Sequence, residues 1–159
     1  QGYANLGETD NAIREYKEAL RIHPEIAEDW LGLGVLLSEK GDFKQAERAL
    51  RMGIKIKRDW PPAYYHLGLV LVSQGKFEEA VGPLNKAVGL YQEYYKARIK
   101  LAEALEKSGH TEEAITQYRE IVQAGSNISR PAELLFDQDN DTVAGILSKA
   151  RQQIGRYGR

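Results

Sequence analysis

The chain contains no cysteine, which removes disulfide cross-links, thiolate metal sites and thiol nucleophiles together and leaves the redox compartment undecided. Its histidines are few, His23, His66 and His110, and stand far apart in the chain. That spacing suits no local metal motif, and neither a metal nor any other cofactor is expected. Charge is close to balance: 22 basic against 23 acidic residues leave a net charge of -1. Nothing global therefore points to nucleic acid or to an acidic membrane. No apolar run approaches the roughly 18 to 20 residues that cross a bilayer. No signal or spanning stretch occurs in this segment, which favours the cytoplasm but leaves the location unknown, since a signal segment could lie upstream of Gln1. At 159 residues, 42% hydrophobic and 28% charged, the chain has the size and composition of one globular domain with a real core.

Catalytic patterns are missing too. Gly32-Leu33-Gly34 lies inside a stretch of helical periodicity with no strand before it, so it is not a phosphate loop. No serine sits in a nucleophile-elbow pattern. The acidic run Asp137–Asp141 resembles a calcium loop but lacks its central glycine and terminal glutamate. Asn127-Ile128-Ser129 fits a glycosylation sequon, which matters only in a protein secreted by a eukaryote. His23 and His110 read as solvent-facing turn residues, and His66 as a hydrogen-bonded surface histidine rather than a catalytic one. An enzyme is not expected.

What the sequence has is a period. Gly7, Gly41, Gly75 and Gly109 are evenly spaced, and Ala12, Ala46, Ala80 and Ala114 keep the same interval. Tyr3, Leu37, Leu71 and Leu105 share that spacing, and so do Tyr16, Leu50, Leu84 and Tyr118. A fixed period of this size, about 34 residues, is the mark of a repeat architecture. Each unit reads as two helices. Trp30, Leu33, Gly34 and Leu37 recur at helical spacing, followed by a glycine suited to a left-handed helix end. A second helix begins within a few residues, which forces an antiparallel pair. One pair cannot bury its apolar stripe alone, so pairs must stack. Pro83 falls inside a second helix, where a kink or a shifted hydrogen bond is expected.

The pattern resembles the tetratricopeptide repeat, with a large residue, Leu, Gly and a further large residue in the first helix and Ala, an aromatic residue and Ala in the second. The resemblance implies an all-α, right-handed superhelix, an α–α solenoid of antiparallel helix pairs. It covers residues 1–128: a partial repeat at 1–26 and full repeats at 27–60, 61–94 and 95–128. The third full repeat departs from the pattern with Arg98 for the large aromatic and Ala102 for the glycine, and Gly53 replaces an alanine. The chain begins at Gln1 part-way through a repeat, so further repeats or another domain are expected upstream. Residues 129–140 read as a linker. Residues 141–156 read as a C-terminal capping helix, N-capped by Asp141. Val143, Ile146, Leu147, Ala150 and Ile154 form its apolar stripe. A tail that docks into a groove is the alternative reading of this helix.

In this family the first helices line the inner surface of the superhelix, where peptides bind in extended or helical form. The resemblance places Leu31 and Val35 on that surface, with Tyr65, His66, Leu69 and Val72 from the second full repeat and Lys96, Ile99, Lys100 and Glu103 from the third. Tyr65 and Leu69 are the expected anchors, because bulky and aromatic side chains dominate hot spots. Lys96 and Lys100 match two basic positions with which some family members clamp a partner's terminal carboxylate. Leu31, Val35 and His66 stand where the rest of that clamp should be. Packing of these positions against the adjoining first helix is the competing structural explanation. Arg48, Arg51, Lys55 and Arg58 lie on one face of a second helix and read as a solvated convex surface, because Glu47 and Asp59 interleave with them. The expected function is an adaptor that binds a partner protein or peptide in its concave groove. The alternative is a scaffold that self-assembles into homo-oligomers through repeat stacking or the C-terminal helix.

Overall fold

The computed structural model describes residues 2–126 and 143–157. Among the described residues there are eight helices and no strand. They are α1 (Gly2–Ile22), α2 (Ala27–Glu39), α3 (Phe43–Ile56), α4 (Pro61–Ser73), α5 (Phe77–Leu90), α6 (Tyr95–Lys107), α7 (Thr111–Ser126) and α8 (Val143–Tyr157). The expected linker and Asp141 lie outside the described residues.

The helix pairs form where the period puts them, and glycine ends the first helix of each. Gly41, Gly75 and Gly109 sit at φ of 86°, 74° and 91°, where a Cβ would clash with its own backbone. This conformation turns the chain back on itself. The amide of Asp42 donates to the Leu37 carbonyl at 2.9 Å, and His110 repeats the bond to Leu105 at 2.8 Å. Both are the closing bond that satisfies a carbonyl left over at a helix end.

Gly7 behaves differently. The chain was expected to turn there as at the other ruler glycines, yet α1 runs from Gly2 to Ile22 without a break. Pro83 does not end its helix either; α5 extends from Phe77 to Leu90 around it. The Glu79 carbonyl then loses its intrahelical donor.

The core repeats with the period. Ala46, Leu50, Ala80, Leu84, Ala114 and Tyr118 have no exposed surface. A Cβ on Gly34 would stand 2.6 Å from Leu50 Cγ, and one on Gly68 2.4 Å from Leu84 Cγ. These glycines are therefore contact points between the two helices of a pair. The third repeat replaces both partners in register, with Ala102 for the glycine and Tyr118 for the leucine. Arg98 keeps its unusual place through polar partners: it donates to Gln117 Oε1 at 3.0 Å and to the Gln92 carbonyl at 3.2 Å, and pairs with Glu120.

First helices touch along the stack, α2 with α4, α4 with α6 and α6 with α8. The second helices α3, α5 and α7 make no comparable contact with one another. The stack therefore curves as a superhelix with the first helices on its inner side.

Candidate functional site

The inner face presents the side of α2, α4 and α6 that points away from the buried leucines Leu33, Leu37, Leu67, Leu71, Leu101 and Leu105. Successive residues turn by about 100°, so Leu31 and Val35 lie opposite Leu33 and Leu37. Leu31, Val35, His66, Leu69, Val72, Lys100 and Glu103 are half-buried and reach this surface. Leu31, Leu69 and Val72 also pack on the core through part of their surface.

Three expected site residues are mostly covered by the fold itself. Tyr65 is 6% exposed, Ile99 4% and Lys96 7%. The Tyr65 ring lies 5.1 Å from that of Tyr94, at the N-cap of α6, and 5.3 Å from His66 in an edge-on arrangement. Tyr65 and Ile99 join the continuous core cluster, a burial that a single helix considered alone does not reveal.

The expected basic end of the groove is also already engaged. Lys100 Nζ lies 3.1 Å from Glu103 Oε2, and Glu103 pairs on its other oxygen with Lys149 of α8. Burial pushes the Glu103 carboxyl up, but the hydrogen bond from Lys149 and the charge of Lys100 outweigh it and hold it below the usual carboxylate range. One turn on, Glu106 accepts a 2.6 Å hydrogen bond from the Tyr157 hydroxyl and a 3.3 Å bond from Tyr118, with Arg156 at 3.6 Å. Burial, followed by the charge of Glu106, drives the Tyr118 hydroxyl well above its ordinary range. A cavity of about 380 Å³ lies between Lys100, Glu103, Glu106 and α8, with Val72 on its wall.

Lys149, Arg156 and Tyr157 were not foreseen as part of this surface. Their signal was weak: two carboxylates three residues apart on α6 and two cations seven apart on α8. Leu147, Ala150 and Ile154 of the expected stripe pack against the core; the side chains of Val143 and Ile146 lie outside the description. No cluster of histidines and carboxylates suited to a metal occurs among the described residues. No helix there is long and apolar enough to cross a membrane.

The tetratricopeptide repeat profile matches residues 5–68 and again residues 65–127. The chain belongs to the tetratricopeptide repeat family. No curated protein matches it in sequence. Among solved structures, MamA shares 24% identity at a TM-score of 0.71, covering 98% of this chain and 94% of that one. YrrB, described as a tetratricopeptide repeat protein with an unusual peptide-binding site, shares 21% at a TM-score of 0.66, covering 98% and 82%. The first tetratricopeptide domain of Spaghetti (RPAP3), bound to the HSP90 peptide SRMEEVD, shares 20% at 0.63, covering 81% and 93%. At these identities the likeness speaks to the fold. Tetratricopeptide repeat proteins are in general interaction modules without enzymatic activity.

Proposed function

We propose that this tetratricopeptide module binds a peptide or helix of a partner protein along the inner face of α2 and α4, with Leu31, Val35, Leu69 and Val72 as the apolar floor. One observation carries the reading: these side chains are only partly buried and reach the face opposite the core, where an isolated amphipathic helix would be polar. His66, beside Leu69 and edge-on to Tyr65, supplies a polar contact at the centre of this floor. Tyr65, Ile99 and Lys96 act beneath the surface as its support. Lys100 and Glu103 bound the floor at the third repeat.

The same proposal makes α8 the cap of the stack. It packs on α7 and touches α6, as α6 packs on α5 and touches α4. Its outward positions, Ser148, Arg151 and Gln152, are exposed and polar, as a terminal repeat needs. A pull-down from native cell extract, identified by mass spectrometry, tests the groove by comparing wild type with Leu69→Glu/Lys100→Glu. Partners lost only with the altered groove support the reading. Identical partner sets remove the function from the inner face.

A further inference from the structure

The two edges of the stack differ in chemistry. On one edge, where each first helix turns into its second, the turns are Lys40-Gly41-Asp42, Gln74-Gly75-Lys76 and Ser108-Gly109-His110. The opposite edge, where second helices end and the next first helices begin, sets exposed hydrophobic side chains among charged ones. Ile22 is 57% exposed, Ile26 38%, Ile56 41% and Tyr91 39%, and all four lie there. The remaining large exposed hydrophobic residue among those described, Met52, is one turn from Ile56.

Ile26, Trp60 and Tyr94 occupy the N-cap positions of α2, α4 and α6, and none makes a side-chain capping bond. They share one register of the repeat. An N-cap normally holds Ser, Thr, Asp or Asn, because a side-chain oxygen there satisfies a free amide. Forgoing that acceptor in every full repeat needs a reason. The core does not supply it for Ile26 and Trp60, which are not among the hydrophobic residues packed against it. Charge at this edge is uneven as well. Lys57 pairs with Glu28 and lies over the Trp60 ring, and Lys86 pairs with Asp59. Lys55 and Arg58 are exposed and, among the described residues, have no acidic partner.

We infer that this edge is a second docking surface, distinct from the inner face, and that it takes an acidic amphipathic helix of a partner protein. Packed helices lie about 8–10 Å apart, so the row Ile26, Trp60, Tyr94 advances by roughly 10 Å per repeat. One heptad of a helix advances by about 10.5 Å. Apolar residues seven apart on a ligand helix therefore meet successive positions of the row, and carboxylates beside them meet Lys55 and Arg58. An anionic bilayer fits less well: it would face the whole edge, including the exposed carboxylates of Glu25 and Glu93, whereas a ligand helix places its carboxylates only beside Lys55 and Arg58.

The test is selection of helical peptides of about 15 residues from a display library on the wild-type protein, followed by anisotropy titration of the enriched peptides. Enriched peptides are expected to carry apolar residues seven apart with Asp or Glu beside them. Ile26→Asn/Trp60→Asn is expected to weaken them roughly tenfold or more, and Lys55→Glu/Arg58→Glu likewise, while Leu69→Glu on the inner face leaves them unchanged. Asparagine restores a cap acceptor, so the melting temperature of Ile26→Asn/Trp60→Asn is expected to hold or rise, which separates lost binding from lost folding. Enrichment of no peptide of this pattern, or of peptides sensitive to Leu69→Glu and indifferent to the edge variants, overturns the inference. So does Trp60-dependent sedimentation with phosphatidylserine vesicles, which assigns the edge to a membrane. Concentration-dependent mass that disappears in the edge variant assigns it to a second copy of the chain and overturns it equally.

Discussion

Val35, Leu69 and Glu103 occupy one register of the inner face, and Ser38, Val72 and Glu106 occupy the next. The same backbone positions thus change from largely apolar in the first two full repeats to acidic in the third. The structure supplies a physical reason for the change. The acidic pair lies under α8 and meets Lys149, Arg156 and Tyr157 there. Where a further helix follows, the inner face carries the groups that hold it. Where the surface is open, it carries half-buried hydrocarbon. The two lysines of α6 do not stand as an open basic pair: Lys96 is covered, and Lys100 lies 3.1 Å from Glu103.

The largest expected effect separates core from floor. Leu67 is 3% exposed and faces the pair's interior, whereas Leu69 is half exposed. Leu67→Ala should lower unfolding free energy by about 2–5 kcal/mol, and Leu69→Ala by under about 2 kcal/mol. Urea denaturation of both variants measures the difference. Equal losses would dissolve the distinction between floor and core. Next in size is Glu106→Ala, which leaves the Tyr118 hydroxyl buried without its acceptor and frees Tyr157 and Arg156. A loss of about 1–3 kcal/mol is expected, concentrated at α8. Hydrogen exchange should show faster exchange at residues 143–157 and little change in α4.

Much of the architecture was legible in the sequence because packing imposes it. A glycine at positive φ and an alanine with no exposed surface tolerate few replacements, so they recur once per repeat and announce the helix pairs. Gly7 shows the limit: the same residue in the same register lies inside a continuous helix. The inner face was legible only in outline. Turning residues by about 100° around a lone helix puts Tyr65, Ile99 and Lys96 on the open side. In the stack, Tyr65 meets the Tyr94 ring at the next N-cap and Ile99 joins the core cluster. A lone helix carries neither. The contacts of α8 were harder still, since Lys149 and Tyr157 meet carboxylates 46 and 51 residues earlier in the chain. No periodic signal reports a pairing that occurs once.

Acid should loosen the charged end before the apolar one. The Glu103 carboxyl titrates lower in the folded chain than in the unfolded one. Its contribution is complete above the ordinary glutamate value of about 4.3 and fades as pH falls through the lower folded value. Lowering pH from neutrality toward that range should therefore raise exchange at α8 while α2 and α4 hold. Uniform loss of protection across the stack would mean that Glu103 does not hold α8.

The smallest expected effect concerns Lys100. Glu103 is held from two sides, by Lys100 at 3.1 Å on its own helix and by Lys149 across the interface. Removing Lys100 leaves the carboxylate with Lys149, so its burial stays compensated. Lys100→Ala should cost about 0–1 kcal/mol, the range of a partly exposed pair. Lys149→Ala should behave similarly, because Lys100 remains. The double variant should cost more than the two singles together, since only then does the carboxylate sit half-buried with neither cation; neighbours that share a partner are not additive. A double-mutant cycle in urea reads this directly. If Lys100→Ala alone cost about 2 kcal/mol or more, on the order of a lost hydrogen bond to a buried charge, Lys149 would not be sharing Glu103. The acidic register of α6 would then belong to the groove rather than to the attachment of α8.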